Sequence, residues 1–371
     1  MSSDTNAAAS LVGRLRDRDD AVVIGSAVAL LFFPFVLIDV LGFVGALTGF
    51  SIGGYAGLPA LVLAFGVVVI GFNLLLGYTE LLSFGHAAFF GTAAYTAGIV
   101  SSSDLPLLAT VGSSPIVMVI AGAIVATLLA WPIGYVSIQR SGVYFAVLTL
   151  TFGQALYFYA LAPGAWLTGG DNGFSNVQVG HLLGVIELEA QLPFLGTWMY
   201  VFVAAFMLLA IWSANRIVNS PYGLIFEALG QNEQRVEFVG LNVFRYKLMA
   251  FVISAVFAGV GGALFAIHES YIHPGTVLYW ITSGDFVIMT VLGGTGSIVG
   301  PVFGAFIFEY VSNVIQGVSL PFIGAIGSLW RLVLGAIFVF VVWVFPRGVH
   351  GALNDLYGFA RPGGDDGGDE Q

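Results

Sequence analysis

Few residues in this chain could do chemistry, and their spacing excludes most of it. The five histidines, His86, His181, His268, His273 and His350, are scattered, and no HExxH pair can be drawn among them. His268, Glu269 and His273 share one loop, which reads as a solvated loop rather than a metal site. Cysteine is absent, so thiolate ligands and disulfides are excluded. A P-loop needs Gly-Lys-Ser/Thr, and the only lysine, Lys247, stands between Tyr246 and Leu248. The chain is therefore not a P-loop ATPase. Between Thr168 and Gly173 a single carboxylate, Asp171, cannot fill the roughly six to eight oxygen positions of a calcium site, so a tight turn is expected there. Two places remain. His86, with Ser83 and Tyr95 in the same apolar segment, is either a neutral histidine bonded between helices or part of a transport path. Glu309 and Arg331 stand near the ends of two apolar runs, where long side chains can reach the interface or pair with each other.

The elements that must hold these groups are membrane helices. Of 371 residues, 58% are apolar and 9% charged, with a mean hydropathy of +0.95. Soluble domains carry roughly a quarter charged residues, and 11 Lys+Arg with 21 Asp+Glu cannot cover a globule of this size. At roughly 20 residues per span, the apolar content suffices for about ten helices. The net charge of -10 and a pI near 4.7 exclude the basic footprint of nucleic-acid binding. Ten of the 11 basic residues are Arg, and this acidic, lysine-poor balance hints at a halophilic prokaryote.

Apolar runs fall at roughly 21–38, 61–78, 82–100, 115–138, 142–162, 196–214, 247–267 and 327–346. The segment from Asp285 to Tyr310 is long enough for one span but carries Gly293, Gly294, Gly296, Gly300 and Pro301 at its middle. The excess of Lys/Arg on cytoplasmic loops arbitrates. Read as a broken hairpin of two short helices within 285–315, the segment brings the total to ten. Every basic residue except Arg331 then falls on the cytoplasmic face, together with both termini. Glycine and proline at membrane depth are tolerated where they are buried in protein or line a cavity. The expected organisation is a polar N-terminus at 1–20, an all-α transmembrane domain over 21–346 and an acidic tail over 347–371. Two stripes of small residues, Ala87-Gly91-Ala94-Gly98 and Ala255-Gly259-Gly262-Ala266, let helix backbones approach closely. They are either plain packing or the walls of a path. Leu76-Gly77-Tyr78-Thr79 is faintly echoed by Leu292-Gly293-Gly294-Thr295.

The one long cytoplasmic loop, 215–245, reads as two short helices. Ser220 before Pro221 is a cap with proline at the first helical position. Gly230 can end the first helix, Asn232 can cap the second and Gly240 can close it. Glu227, Glu233, Arg235 and Glu237 then lie beside Leu224, Ile225, Leu229 and Phe238, a mixed face suited to a partner protein. Membrane-surface helices are usually richer in Lys and Arg.

Four blocks, in order, resemble the permease subunit of branched-chain amino acid ABC importers, the LivM type. They are Gly77-Tyr-Thr-Glu-Leu-Leu-Ser-Phe-Gly-His-Ala-Ala-Phe-Phe-Gly91, with Tyr95 following; Gly142 to Leu150 with Leu167 to Gly173; Ser220-Pro-Tyr-Gly223 through Gly240 to Leu248; and Leu292 to Pro301. The resemblance implies the ten-helix type of importer permease in the plasma membrane, with no covalent chemistry of its own. Its expected partners are two ATP-binding subunits, a second related permease and an external solute-binding protein. ATP and Mg²⁺ belong to the ATP-binding partners, and this chain needs no cofactor. Glu227, Ala228, Gly230, Glu233 and Gly240 are assigned to coupling with the ATPase, although Leu229 departs from the Glu-Ala-Ala pattern of such loops. Ser83, His86, Tyr95, Gly293, Gly294, Gly300 and Pro301 are candidates for the translocation path. A cargo carboxylate at the start of the helix after Gly300 would make Gly300→Leu block uptake while sparing assembly. The cargo expected is a branched-chain or related amino acid, with urea or a short amide as the alternative, and a stand-alone carrier or channel remains the rival mechanism.

Overall fold

The computed structural model describes residues 22–40, 42–43, 55–102, 113–175, 177–182, 185–192, 195–317, 319–320 and 324–344. The polar N-terminus at 1–20 and the tail from 347 lie outside the described residues. The chain runs through α1 (Val22–Val40), α2 (Leu58–Thr79), α3 (His86–Ser101), α4 (Pro115–Ser137) and α5 (Val143–Leu161). It continues through α6 (Trp198–Val218), α7 (Pro221–Gln231), α8 (Glu233–Phe238), α9 (Val243–Glu269), α10 (Trp280–Gly293), α11 (Gly300–Gly317) and α12 (Trp330–Val344). Leaving aside α7 and α8, ten apolar helices stand among the described residues. The runs read from the sequence coincide with them to within about one turn. Seven helical stretches are long and apolar enough to cross a membrane, one of them being α10 joined to the short helix Pro274–Val277.

α2 and α9 occupy the centre, with α3 and α4 on α9 and with α6 and α11 on α2. The small-residue stripes serve this packing. A Cβ on Gly259 would meet the Ala126 methyl at 2.6 Å, and one on Gly91 the Leu278 side chain at 2.5 Å. Gly262 lies against the Phe90 carbonyl. Phe65, Phe90, Phe265 and Phe286 fill the space between α2, α3, α9 and α10, with Phe90 at 5.3 Å from Phe265 and 5.5 Å from Phe286 between ring centroids. Such aromatic contacts add dispersion where lipid supplies no hydrophobic drive. Apolar side chains of α1, α4, α5, α6 and α12 remain exposed, among them Phe32, Leu128, Phe158, Trp212 and Val339.

The 285–315 region is a broken hairpin. Gly293 lies against Gly300 and Gly304 lies against Met289, so α10 and α11 run antiparallel. Gly294 and Gly296, at φ 111° and 80°, make the reversal that a residue with a Cβ would resist. One boundary differs from the sequence expectation: the third span begins at His86, and residues 80–85 are not helical. Glu80 turns left-handed at φ 55° and ends α2. Side-chain hydroxyls then take the amides that a continuing helix would have bonded, Thr149 accepting from the Phe84 N–H at 3.2 Å and Ser83 from the Gly85 N–H at 3.3 Å.

Candidate functional site

The α7–α8 loop is built as its sequence suggests. Ser220 caps α7 by accepting from the Tyr222 N–H at 3.2 Å, and Asn232 caps α8 by accepting from the Arg235 N–H at 3.1 Å. Gly240, at φ 88°, closes α8 as the Gly240 N–H donates to the Glu237 carbonyl at 2.9 Å. Gly230 does not end α7, which runs one residue further. Its missing side chain serves contact instead, since a Cβ there would meet the Tyr78 carbonyl at 2.7 Å. Phe226, Leu229 and Val236 turn inward and are buried, whereas Tyr222, Leu224, Phe238 and Val239 are exposed, Phe238 at 90%. Glu227 and Ala228 are also exposed. The loop thus has an apolar underside seated on the bundle and an outer face of mixed apolar and charged side chains that no described residue covers.

Glu233 faces the bundle. Its Oε1 lies 2.5 Å from Nζ of Lys247, whose side chain is only 5% exposed against 46% for Glu233. Sequence spacing gave no signal for this pair, which joins α8 to the second turn of α9. Glu233→Arg, a natural test of docking, would therefore also set two cations against each other.

Beneath the loop two breaks lie beside the end of α2. Residues 80–85, the start of α5 and the α7–α8 junction line a cavity of about 880 Å³, with Glu80, Phe84, Gly142, Val147, Gly230 and Glu233 on its walls. Residues 294–299 pack against the end of α2. The Asn73 amide donates to the Ser297 carbonyl at 2.8 Å and accepts from the Gly296 N–H at 3.0 Å, and the Tyr78 hydroxyl donates to the Gly296 carbonyl at 3.0 Å. The segments that faintly echo each other in sequence are thus in contact.

The first amides of α11 have little to offer an anion. Gly300 N–H donates to Ser297 Oγ at 2.9 Å, Pro301 has no N–H, and Val302 N–H donates to the Val299 carbonyl at 3.1 Å. A side chain at Gly300 would strike Ser297 and the Gly294 carbonyl, and Gly293 faces Gly300 backbone. Gly300→Leu would disturb the hairpin itself and does not isolate a cargo contact.

Ser83, His86 and Tyr95 are 0%, 0% and 4% exposed. His86 has both ring nitrogens in hydrogen-bond reach of hydroxyls, Nδ1 at 3.0 Å from Ser83 Oγ and Nε2 at 2.8 Å from Ser254 Oγ. Phe72, Phe89 and Phe251 surround it edge-on. Both nitrogens are satisfied, and the residue joins the 80–85 break to α9. Tyr95 lies in the third turn of α3, its hydroxyl 3.5 Å from the Ile272 carbonyl. Glu309 and Arg331 form no ion pair among the described residues: Arg331 lies over the Trp330 ring at 5.0 Å. Glu309 and Glu269 instead neighbour Tyr55, whose phenol is pushed up to about 12 by burial and then by these two carboxylates.

Membrane-length helices around a buried centre, with one structured polar excursion seated on that centre, define a polytopic membrane protein. The chain belongs to the family described as the permease component of branched-chain amino acid transport systems, which residues 54–342 match. Among its relatives, the high-affinity branched-chain amino acid transport system permease protein LivM of Salmonella typhimurium is 27% identical over 270 residues, covering 66% of this chain and 59% of the relative. LivM of Escherichia coli is 26% identical with the same coverage. The autoinducer 2 import system permease protein LsrC of Yersinia pseudotuberculosis is 24% identical over 238 residues, covering 62% of this chain and 61% of LsrC. The match spans about three-fifths of these relatives' length. No solved structure matches the chain.

Proposed function

We propose that the chain is the membrane-spanning subunit of an ATP-driven, binding-protein-dependent importer in the plasma membrane. Its partners are two ATP-binding subunits, a second related permease and an external solute-binding protein. The observation that carries this reading is the α7–α8 loop, a face of mixed apolar and charged side chains exposed among the described residues and seated on the bundle's two central helices. Four of the described basic residues, Arg216, Arg235, Arg245 and Lys247, stand in or beside this loop, which favours a cytoplasmic position for it. ATP and Mg²⁺ are held by the partner subunits, and this chain does no covalent chemistry. Closure of the ATP-binding subunits moves the loop, and the helices alternate between outward and inward access. Ser83, His86 and Tyr95 are shut off in the present conformation, so a path through them requires α3 to part from α9.

The cargo proposed is a branched-chain or related amino acid, supported by the two LivM relatives. LsrC, named for autoinducer 2 import, marks how far cargo varies among similar permeases. The test is uptake of radiolabelled leucine into proteoliposomes holding this chain with its ATP-binding, permease and binding-protein partners. Uptake that requires ATP and every subunit is expected. Uptake by this chain alone, driven by an ion gradient or by diffusion, would identify a carrier or a channel. ATP-dependent uptake of urea or an amide in place of leucine would keep the mechanism and change the cargo.

A further inference from the structure

Beside its buried apolar underside and its chain connections to α6 and α9, the loop has two further attachments to the membrane bundle that differ in kind. α7 rests on α2 through a backbone approach, Gly230 against the Tyr78 carbonyl, which carries compression but little pull. α8 is tied to α9 by the Glu233–Lys247 ion pair at 2.5 Å. The lysine is the chain's only one and is buried in the second turn of α9, and that helix packs on α2, α3 and α4 together.

Burying an ammonium is costly, and apolar side chains of similar volume hold such positions as well or better. Packing alone therefore gives no reason for a lysine here. A charge pair sheltered on one side resists separation, because parting it leaves a buried cation without its counter-charge. We infer that Glu233 and Lys247 are positioning residues whose ion pair transmits pulling movements of the α7–α8 loop to α9, and through α9 to the helices around the path. This inference rests on the importer reading and deepens it. Glu233 then acts mainly on its own chain, and the uncovered Leu224, Phe238 and Val239 are left to meet the ATPase.

The test uses the complete importer in proteoliposomes with Lys247→Met, Glu233→Gln and the exchange Glu233→Lys/Lys247→Glu. Three quantities are read: ATP-binding subunit recovered per permease, ATP hydrolysed, and leucine taken up per ATP. A fourth readout needs no cargo. Because the native chain has no cysteine, Glu269→Cys at the far end of α9 gives this subunit a single thiol, whose labelling rate, read on the separated permease band, is compared with and without ATP and vanadate. With Lys247→Met, subunit recovery within twofold of the unmodified complex is expected, together with at least a tenfold fall in uptake per ATP and loss of the nucleotide effect on labelling. The exchanged pair is expected to regain at least a third of the coupling. Glu233→Gln should fall between Lys247→Met and the unmodified complex, which keeps the test open if the exchange fails to fold. An unchanged uptake per ATP in Lys247→Met would overturn the inference. So would a loss of uptake that merely parallels loss of bound ATPase, since the pair would then only hold the loop for docking. If the unmodified complex neither binds the ATPase nor responds to ATP, the importer reading itself fails and takes this joint with it.

Discussion

Residues 80–85 and 294–299 are two six-residue breaks beside the end of α2, the first directly after the Leu76-Gly-Tyr-Thr79 run and the second overlapping the Leu292-Gly-Gly-Thr295 run. Their surroundings differ. The first opens on a cavity of about 880 Å³ shared with α5 and the α7–α8 loop. The second is closed by the Asn73 amide, by the Tyr78 hydroxyl and by glycine contacts that leave no space for a Cβ. Similar sequence therefore makes a yielding wall in one place and a clamp in the other. Partners far away in the chain decide which is which: Thr149 for the first break and Asn73 for the second.

The largest expected effect is at the clamp. Gly293→Leu sets a side chain against the Gly300 backbone and should cost about 3 kcal/mol or more, as overpacking at a fixed backbone does. The measurement is recovery of monodisperse protein in detergent, and normal recovery would mean that the hairpin can open there. Asn73→Leu is next. It strands the Gly296 N–H and the Ser297 carbonyl and should lower unfolding stability by about 1–3 kcal/mol, with faster labelling of a cysteine at Thr295. Stability unchanged within error would show that the amide does not hold the break. The smallest effect belongs to the yielding wall. Val147→Trp, from an exposed position on the cavity, should shift stability by less than about 0.5 kcal/mol yet reduce ATP-dependent uptake severalfold by narrowing the space. Equal uptake would remove that cavity from the transport cycle.

Much of this architecture was legible in the sequence because membrane spans depend on local composition. Apolar runs of about 20 residues fixed most helices, and Gly293 to Pro301 announced the broken hairpin. The caps Ser220, Asn232 and Gly240 were equally local and stand where the loop needs them. What local sequence does not show is the set of features made by pairing over distance. Lys247 served in the sequence only to exclude a P-loop, because nothing near it shows that Glu233 will be its partner. Asn73 carries no local signal, since its partners lie 223 and 224 residues away. Whether Gly300 lines a path or packs a hairpin likewise depends on Ser297 and Gly294 being brought against it. The late start of α3 follows a non-helical stretch that begins with Glu80 at φ 55°, a conformation for which glutamate carries no preference.

The central claim, that a partner drives this bundle through the α7–α8 loop, is tested most directly by recovering the ATP-binding subunit on the tagged permease carrying Leu224→Ser and Phe238→Ser. Both side chains are largely exposed among the described residues, so the permease itself should be recovered in full. Bound ATPase is expected to fall at least tenfold, with ATP-dependent leucine uptake falling in step. Undiminished ATPase on a fully recovered double variant would contradict the account.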